Sequence, residues 1–111
     1  MDRKGITVTF ELRIYHANPG KMPQLLNRFR NHTINIFPKH GILNVGYWID
    51  DAAPDDLIYV LKHEGDPTAN WKNFSADEDW QAAKSASEVD GRLVASIESK
   101  YMSATDFSEI R

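Results

Sequence analysis

Ten residues near the start, "ITVTFELRIY", alternate without a break between two kinds of side chain. Ile6, Val8, Phe10, Leu12 and Ile14 share one parity, and Thr7, Thr9, Glu11, Arg13 and Tyr15 share the other. Successive side chains of a strand point to opposite sides of its sheet, so a period of two over this length predicts a strand with two unlike faces. Such a strand needs partners for its backbone and a cover for its apolar side, and the rest of the chain must supply both.

"NPGK" follows with turn chemistry. Met22, Leu25, Leu26, Phe29, Thr33, Ile36 and Phe37 then recur at spacings of three and four, the stripe of a helix buried along one side. Pro23 suits its first turn, and Pro38 and Gly41 bring it to an end. "ILNVGYWID" alternates again, with Leu43, Val45, Tyr47 and Ile49 on one face and Asn44, Gly46, Trp48 and Asp50 on the other. "DAAPDD" reads as a polar turn, and "LIYVLKH" is apolar on both parities, as a strand covered on both sides would be. "DPTANWKNF" and "DEDWQAAKSASE" predict two short helical pieces broken between Ser75 and Asp77, and "LVASIESKYM" predicts the last strand, ahead of the tail "SATDFSEIR".

The order β-α-β-β-α-β predicts an α+β chain of the ferredoxin-like kind. Helices are expected over the face built from the apolar sets. The second face would carry Glu11, Arg13, Tyr15, Asn44 and Trp48, too polar for a dry core and too aromatic for bare water. That imbalance predicts a second copy packed on this face, with a partly polar chamber between the two.

The 111 residues make one domain, 1–111. Thirteen basic and sixteen acidic residues are interspersed, and without a basic stripe to neutralise phosphates nucleic acid is not an expected partner. The lack of cysteine excludes disulfides, thiolate metal sites and a thiol nucleophile. No apolar run approaches a membrane span, and "MDRKGITVTF" lacks the apolar core of a leader, so the expected location is cytoplasmic. His16, His32 and His63 form no metal-ligand signature, and no glycine-rich phosphate loop or G-x-S-x-G elbow is present. No metal or cofactor is predicted.

"FELRIYHANPGKM", "FPKHGILNVGYW", "NWKNFSADEDWQAAKSASEVDG" and "SATDFSEI" together resemble the NIPSNAP family in its short, single-domain bacterial form, across residues 8–110. The resemblance implies a homodimeric α+β barrel in which two ferredoxin-like subunits close their sheets over a cavity. The wider superfamily includes cofactor-independent monooxygenases, dismutase-like haem enzymes and small isomerases, whereas the NIPSNAP branch implies no agreed reaction. By position, the family-like residues are Glu11, Arg13 and Tyr15; then His40, Gly41, Gly46 and Trp48; then Trp71, Phe74 and Trp80; and Asp106, Phe107 and Ser108 in the tail. Pro38 departs from the pattern, and a kink there would re-aim His40.

The candidate site residues each have two readings. His40 either caps the end of the first helix, which we favour, or acts as a general acid or base at the barrel mouth. Glu11 and Arg13 are either an ion pair tying the sheet together, or a site in which Arg13 forks onto an anionic ligand with Tyr15 lining the chamber. Trp48 is either an aromatic wall beside Gly46 or a packing residue. Trp71, Phe74 and Trp80 are expected to pack the helices onto the sheet. Two function classes follow. One is a small enzyme, a cofactor-independent oxygenase or isomerase acting on a modest organic acid or aromatic. The other is a non-catalytic ligand-binding or scaffolding dimer.

Overall fold

The computed structural model describes residues 8–111, so Ile6 and Thr7 of the first alternating segment lie outside the described residues. The alternation becomes β1 (Val8–Ala17). The helical stripe becomes α1 (Met22–Arg28), a π-helical turn (Phe29–Thr33), α2 (Ile34–Ile36) and a 3-10 turn (Phe37–His40). A hairpin of β2 (Ile42–Asp50) and β3 (Ala53–Glu64) follows, then α3 (Pro67–Ser75), α4 (Glu78–Ser87) and β4 (Val94–Met102). The sheet runs β2-β3-β1-β4 with every neighbouring pair antiparallel, the ferredoxin-like arrangement. Among the described residues no helix is long and apolar enough to cross a membrane.

Local chemistry sets the boundaries. In the π turn, the Thr33 hydroxyl donates to the Arg28 carbonyl five residues back at 3.3 Å. The wider turn keeps the predicted stripe on the sheet: Met22, Leu25, Phe29, Thr33, Ile36 and Phe37 are all buried, with Leu26 packed at their edge. Gly41 ends the 3-10 turn at φ +75°, where a side chain would be strained, and its carbonyl accepts the Glu64 N–H at 2.8 Å. The polar turn "DAAPDD" is shorter than expected. Ala52 N–H donates to Asp50 Oδ1 at 2.9 Å, Asp50 pairs with Ala53, and β3 is already under way at Pro54.

Two face assignments differ from those expected. The helices lie on the Glu11, Arg13 and Tyr15 side of β1, together with Leu57, Tyr59, Leu61 and His63 of β3. The apolar set Phe10, Leu12 and Ile14 is on the opposite side, next to Lys62, Val60 and Ile58. The reason is that the polar set is satisfied internally, while the bodies of Tyr15 and Tyr59 pack edge-on against Phe29 at 5.6 and 5.2 Å. The second correction concerns β2. A bulge between Asn44 and Gly46 shifts the parity by one residue, so Asn44 opposes Leu61 on the helix side while Trp48 opposes Ile58 on the open side. Leu43 and Tyr47, expected on one face, are separated by the same bulge.

The core lies between sheet and helices. Leu25, Phe37, Ile42, Leu57, Tyr59, Leu61 and Leu93 are its most buried members, and Trp71 and Trp80 pack against it as expected. Among the described residues the open face carries no helix, and no second copy is needed to bury Glu11 or Arg13.

Candidate functional site

Cross-strand register brings one polar cluster under the helices. Glu11 opposes Leu61 on one side and Tyr101 on the other, and Arg13 lies between Tyr59 and Ser99. The fully buried Glu11 carboxylate takes four hydrogen bonds. Its Oε1 accepts from His63 Nε2 at 2.7 Å and from Trp71 Nε1 at 2.8 Å. Its Oε2 accepts from Arg13 Nη1 at 2.8 Å and from the Ser99 hydroxyl at 2.5 Å. Asn70 settles the tautomer of His63. The Asn70 amide nitrogen faces the Glu64 carbonyl at 3.0 Å, so it is a donor there and also towards His63 Nδ1 at 3.2 Å. The imidazole proton therefore sits on Nε2, aimed at Glu11.

Burial by itself pushes the Glu11 carboxyl up, but the bonds from His63, Ser99 and Arg13, with the Arg13 charge, outweigh it and hold it down at about 2. Burial opposes the Arg13 charge too, yet Tyr59, Tyr15 and Glu11 around the guanidinium keep it firmly protonated. Arg13 Nε donates to the Tyr59 hydroxyl at 2.8 Å, and the guanidinium lies 4.2 Å over the Trp71 ring. Burial pushes the Tyr59 and Tyr47 phenols up, so both are neutral donors at physiological pH. Neither the carboxylate nor the phenols can collect a proton readily near neutrality. The cluster orients and binds. Among the described residues no group of three or more His, Asp or Glu is placed to hold a metal ion.

One donor of this network is only weakly held. Arg13 Nη2 meets only the Tyr15 hydroxyl, at 3.5 Å, which is too long to satisfy a guanidinium. Tyr15 in turn walls a cleft of about 280 Å³ between β4 and α4, with Trp80, Ile97, Val94, Arg28 and Arg92 around it.

The sequence candidates divide. Glu11, Arg13 and Tyr15 come together. Trp48 lies on the other side of the sheet, 56% exposed, lining an apolar cleft of about 350 Å³ with Phe10, Val45, Val60 and the tail. His40 shares no hydrogen bond with Glu11, Arg13 or Tyr15. Its Nε2 is 2.7 Å from Asp77 Oδ2, and Asp77 is the residue that caps α4, accepting from Asp79 and Trp80 N–H at 2.8 and 3.1 Å. The His40 bond, then the Trp80 N–H and Lys39, hold the Asp77 carboxyl well below its usual range. His40→Asn is therefore expected to lower the melting midpoint by roughly 5 °C, the effect of one ordinary hydrogen bond in a domain of this size. Affinity for a small carboxylic acid should not change, and a melt with a calorimetric titration checks both.

The sequence pattern does not mark His63, Tyr59, Asn70 and Ser99 as site residues. The parity of Tyr59 and His63 with Leu57 and Leu61 marks a buried face ending in polar groups, a signal legible in the strand itself. Ser99 and Asn70 carry no such signal and enter only through register and helix docking.

The antiparallel order, the helices on one face and the buried polar pairs beneath them define a ferredoxin-like α+β chain. This chain belongs to the NIPSNAP family, whose model matches residues 10–109. A crystallised NIPSNAP family protein of Agrobacterium tumefaciens superposes with a TM-score of 0.77 at 27% identity, covering 95% of this chain and 100% of that one. A second A. tumefaciens NIPSNAP protein, of unknown function, gives a TM-score of 0.78 at 22% identity and 94% coverage of both chains. A Chloroflexus aurantiacus protein, classed as a candidate antibiotic biosynthesis monooxygenase, shares the fold with a TM-score of 0.64 at 16% identity, covering 95% of this chain and 100% of that one. No curated protein sequence matches the chain.

Proposed function

We propose that this protein is a homodimer that binds a small organic acid, one per chain, in the cleft between β4 and α4. The observation that carries the reading is the cleft's position. Its Tyr15 wall backs onto the buried Glu11–Arg13 pair, the Tyr15 hydroxyl lying 3.5 Å from Arg13 Nη2. Trp80 and Ile97 supply apolar contact for a ring, and the cationic side chains at the rim supply charge. Binding is favoured over proton-transfer chemistry because the one carboxylate in the cluster is saturated with donors and strongly acidic.

Dimerisation is supported by the open sheet face. Leu12, Ile14, Ile58, Val60 and Trp48, beside the already buried Phe10, form an apolar patch with no helix among the described residues over it, of the sort that marks an interaction surface. One end of the patch is acidic, with Asp56 and Glu98 holding His16 between them at 2.7 and 2.5 Å. The other end carries Lys62 and Lys100. Two copies stacked about a two-fold axis, with strands reversed, set unlike ends against each other.

The location is tested by filling the cleft without touching charge. Ile97 is half-exposed on its wall, so Ile97→Trp is expected to leave folding intact and weaken benzoate binding at least about tenfold. Calorimetry with benzoate measures it. Full affinity in the filled variant would place the ligand elsewhere.

A further inference from the structure

We propose that Arg28 and Arg92 form a carboxylate-recognising end of this cleft, which sets the ligand class as a small monocarboxylic acid on a single ring. The proposal rests on the cleft being the binding site and adds what grips the ligand there.

Arg28 closes α1 and is only 5% exposed. A guanidinium offers five N–H donors, yet here only Nη1 is engaged, at 3.2 Å from the Ser87 hydroxyl and 3.5 Å from Glu88 Oε2. Its Nε is buried with no hydrogen-bond partner, and its Nη2 bonds to none of the described residues. A buried cation left in this state is costly unless another acceptor arrives. Glu88 does not fill that role. Its Oε1 is held by Lys84 at 3.1 Å, and its Oε2 is shared with the Leu93 N–H at 3.5 Å.

The guanidinium lies 4.9 Å over the Trp80 ring, and the Arg28 carbonyl accepts from the Thr33 hydroxyl at 3.3 Å. Arg28 lines two clefts, one on either side. The outer one, about 300 Å³, has Asp90 in its wall, which opposes an anion. The inner one has Arg28, Arg92 and Lys84 against the single carboxylate of Glu88, so a further negative charge is welcome there. Trp80, Tyr15, Val94 and Ile97 line the remainder. At about 280 Å³ the space is at the lower end of small-molecule sites, enough for one ring with its acid group. Arg28 and Arg92 both line it, and a guanidinium's planar fork suits a carboxylate better than a point charge would.

The test compares benzoate with neutral benzamide on the wild type, Arg92→Gln, Arg28→Lys and Ile97→Trp, by calorimetry. The wild-type Arg28 Nε–H resonance is followed alongside by 1H–15N NMR. Benzoate is expected to bind at least about tenfold more tightly than benzamide, and each arginine variant to lose about tenfold for benzoate while leaving benzamide unchanged. The Arg28 Nε–H signal should shift with benzoate and stay still with benzamide. Binding that Ile97→Trp blocks, but that is equal for both probes or indifferent to Arg92→Gln with a static Arg28 signal, overturns this assignment and leaves the cleft reading standing. No benzoate binding, or binding that Ile97→Trp does not touch, overturns both. Arg92 is exposed, so its variant and the wild-type resonance decide the matter even if Arg28→Lys does not fold.

Discussion

Glu11→Ala is expected to destabilise the fold by about 3–5 kcal/mol, because it strands a buried guanidinium without its counter-charge. It also leaves the N–H groups of His63 and Trp71 and the Ser99 hydroxyl without their acceptor. In a domain of this size the melting midpoint should fall by at least roughly 12 °C. The same carboxylate predicts the acid limb of stability. Its folded value, about 2, lies below its ordinary value of 4.5, so the unfolded chain binds the proton more readily. The contribution, about 3 kcal/mol, is fully present above pH 4.5 and is lost as pH falls towards 2. Urea melts at pH 7, 4 and 2.5 measure it. Glu11→Gln should flatten that limb while costing stability at pH 7, since an amide keeps one acceptor but presents N–H to a guanidinium. An unaltered acid limb in this variant would mean that another group governs acid unfolding.

Val60→Glu is expected to turn the proposed dimer into a monomer without unfolding it. Val60 faces the open side between Leu12 and Gly46, away from the core. In a two-fold interface the substitution occurs twice and buries two unpaired carboxylates, which should weaken association at least about a thousandfold. Light scattering should give twice 12.7 kDa for the wild type and 12.7 kDa for the variant, with matching far-ultraviolet circular dichroism. A wild-type monomer at micromolar concentration would overturn the proposed dimer.

The sequence by itself determined the strands, the helix stripe, their order and the residues that meet in the polar cluster from β1. Period two and period 3.6 are local properties, set by how each backbone projects its side chains, and "ITVTFELRIY" and the Met22-to-Phe37 stripe state them plainly. It also marked Gly41 as a helix end, whereas the His40 ring, expected to cap that end, bonds instead to Asp77 at the start of α4. Only the tertiary structure decided which face of the sheet the helices cover. Alternation separates two faces without saying which is inside, and β3, apolar on both parities, does not break the tie. The buried side is the one whose polar groups can saturate each other: Glu11 needs His63 from β3, Ser99 from β4 and Trp71 from α3, donors 52, 88 and 60 residues away. The β2 bulge that parts Asn44 from Trp48 depends likewise on its register against β3. Local pattern fixes what each segment is; the satisfaction of buried charge across distant segments fixes where each one goes.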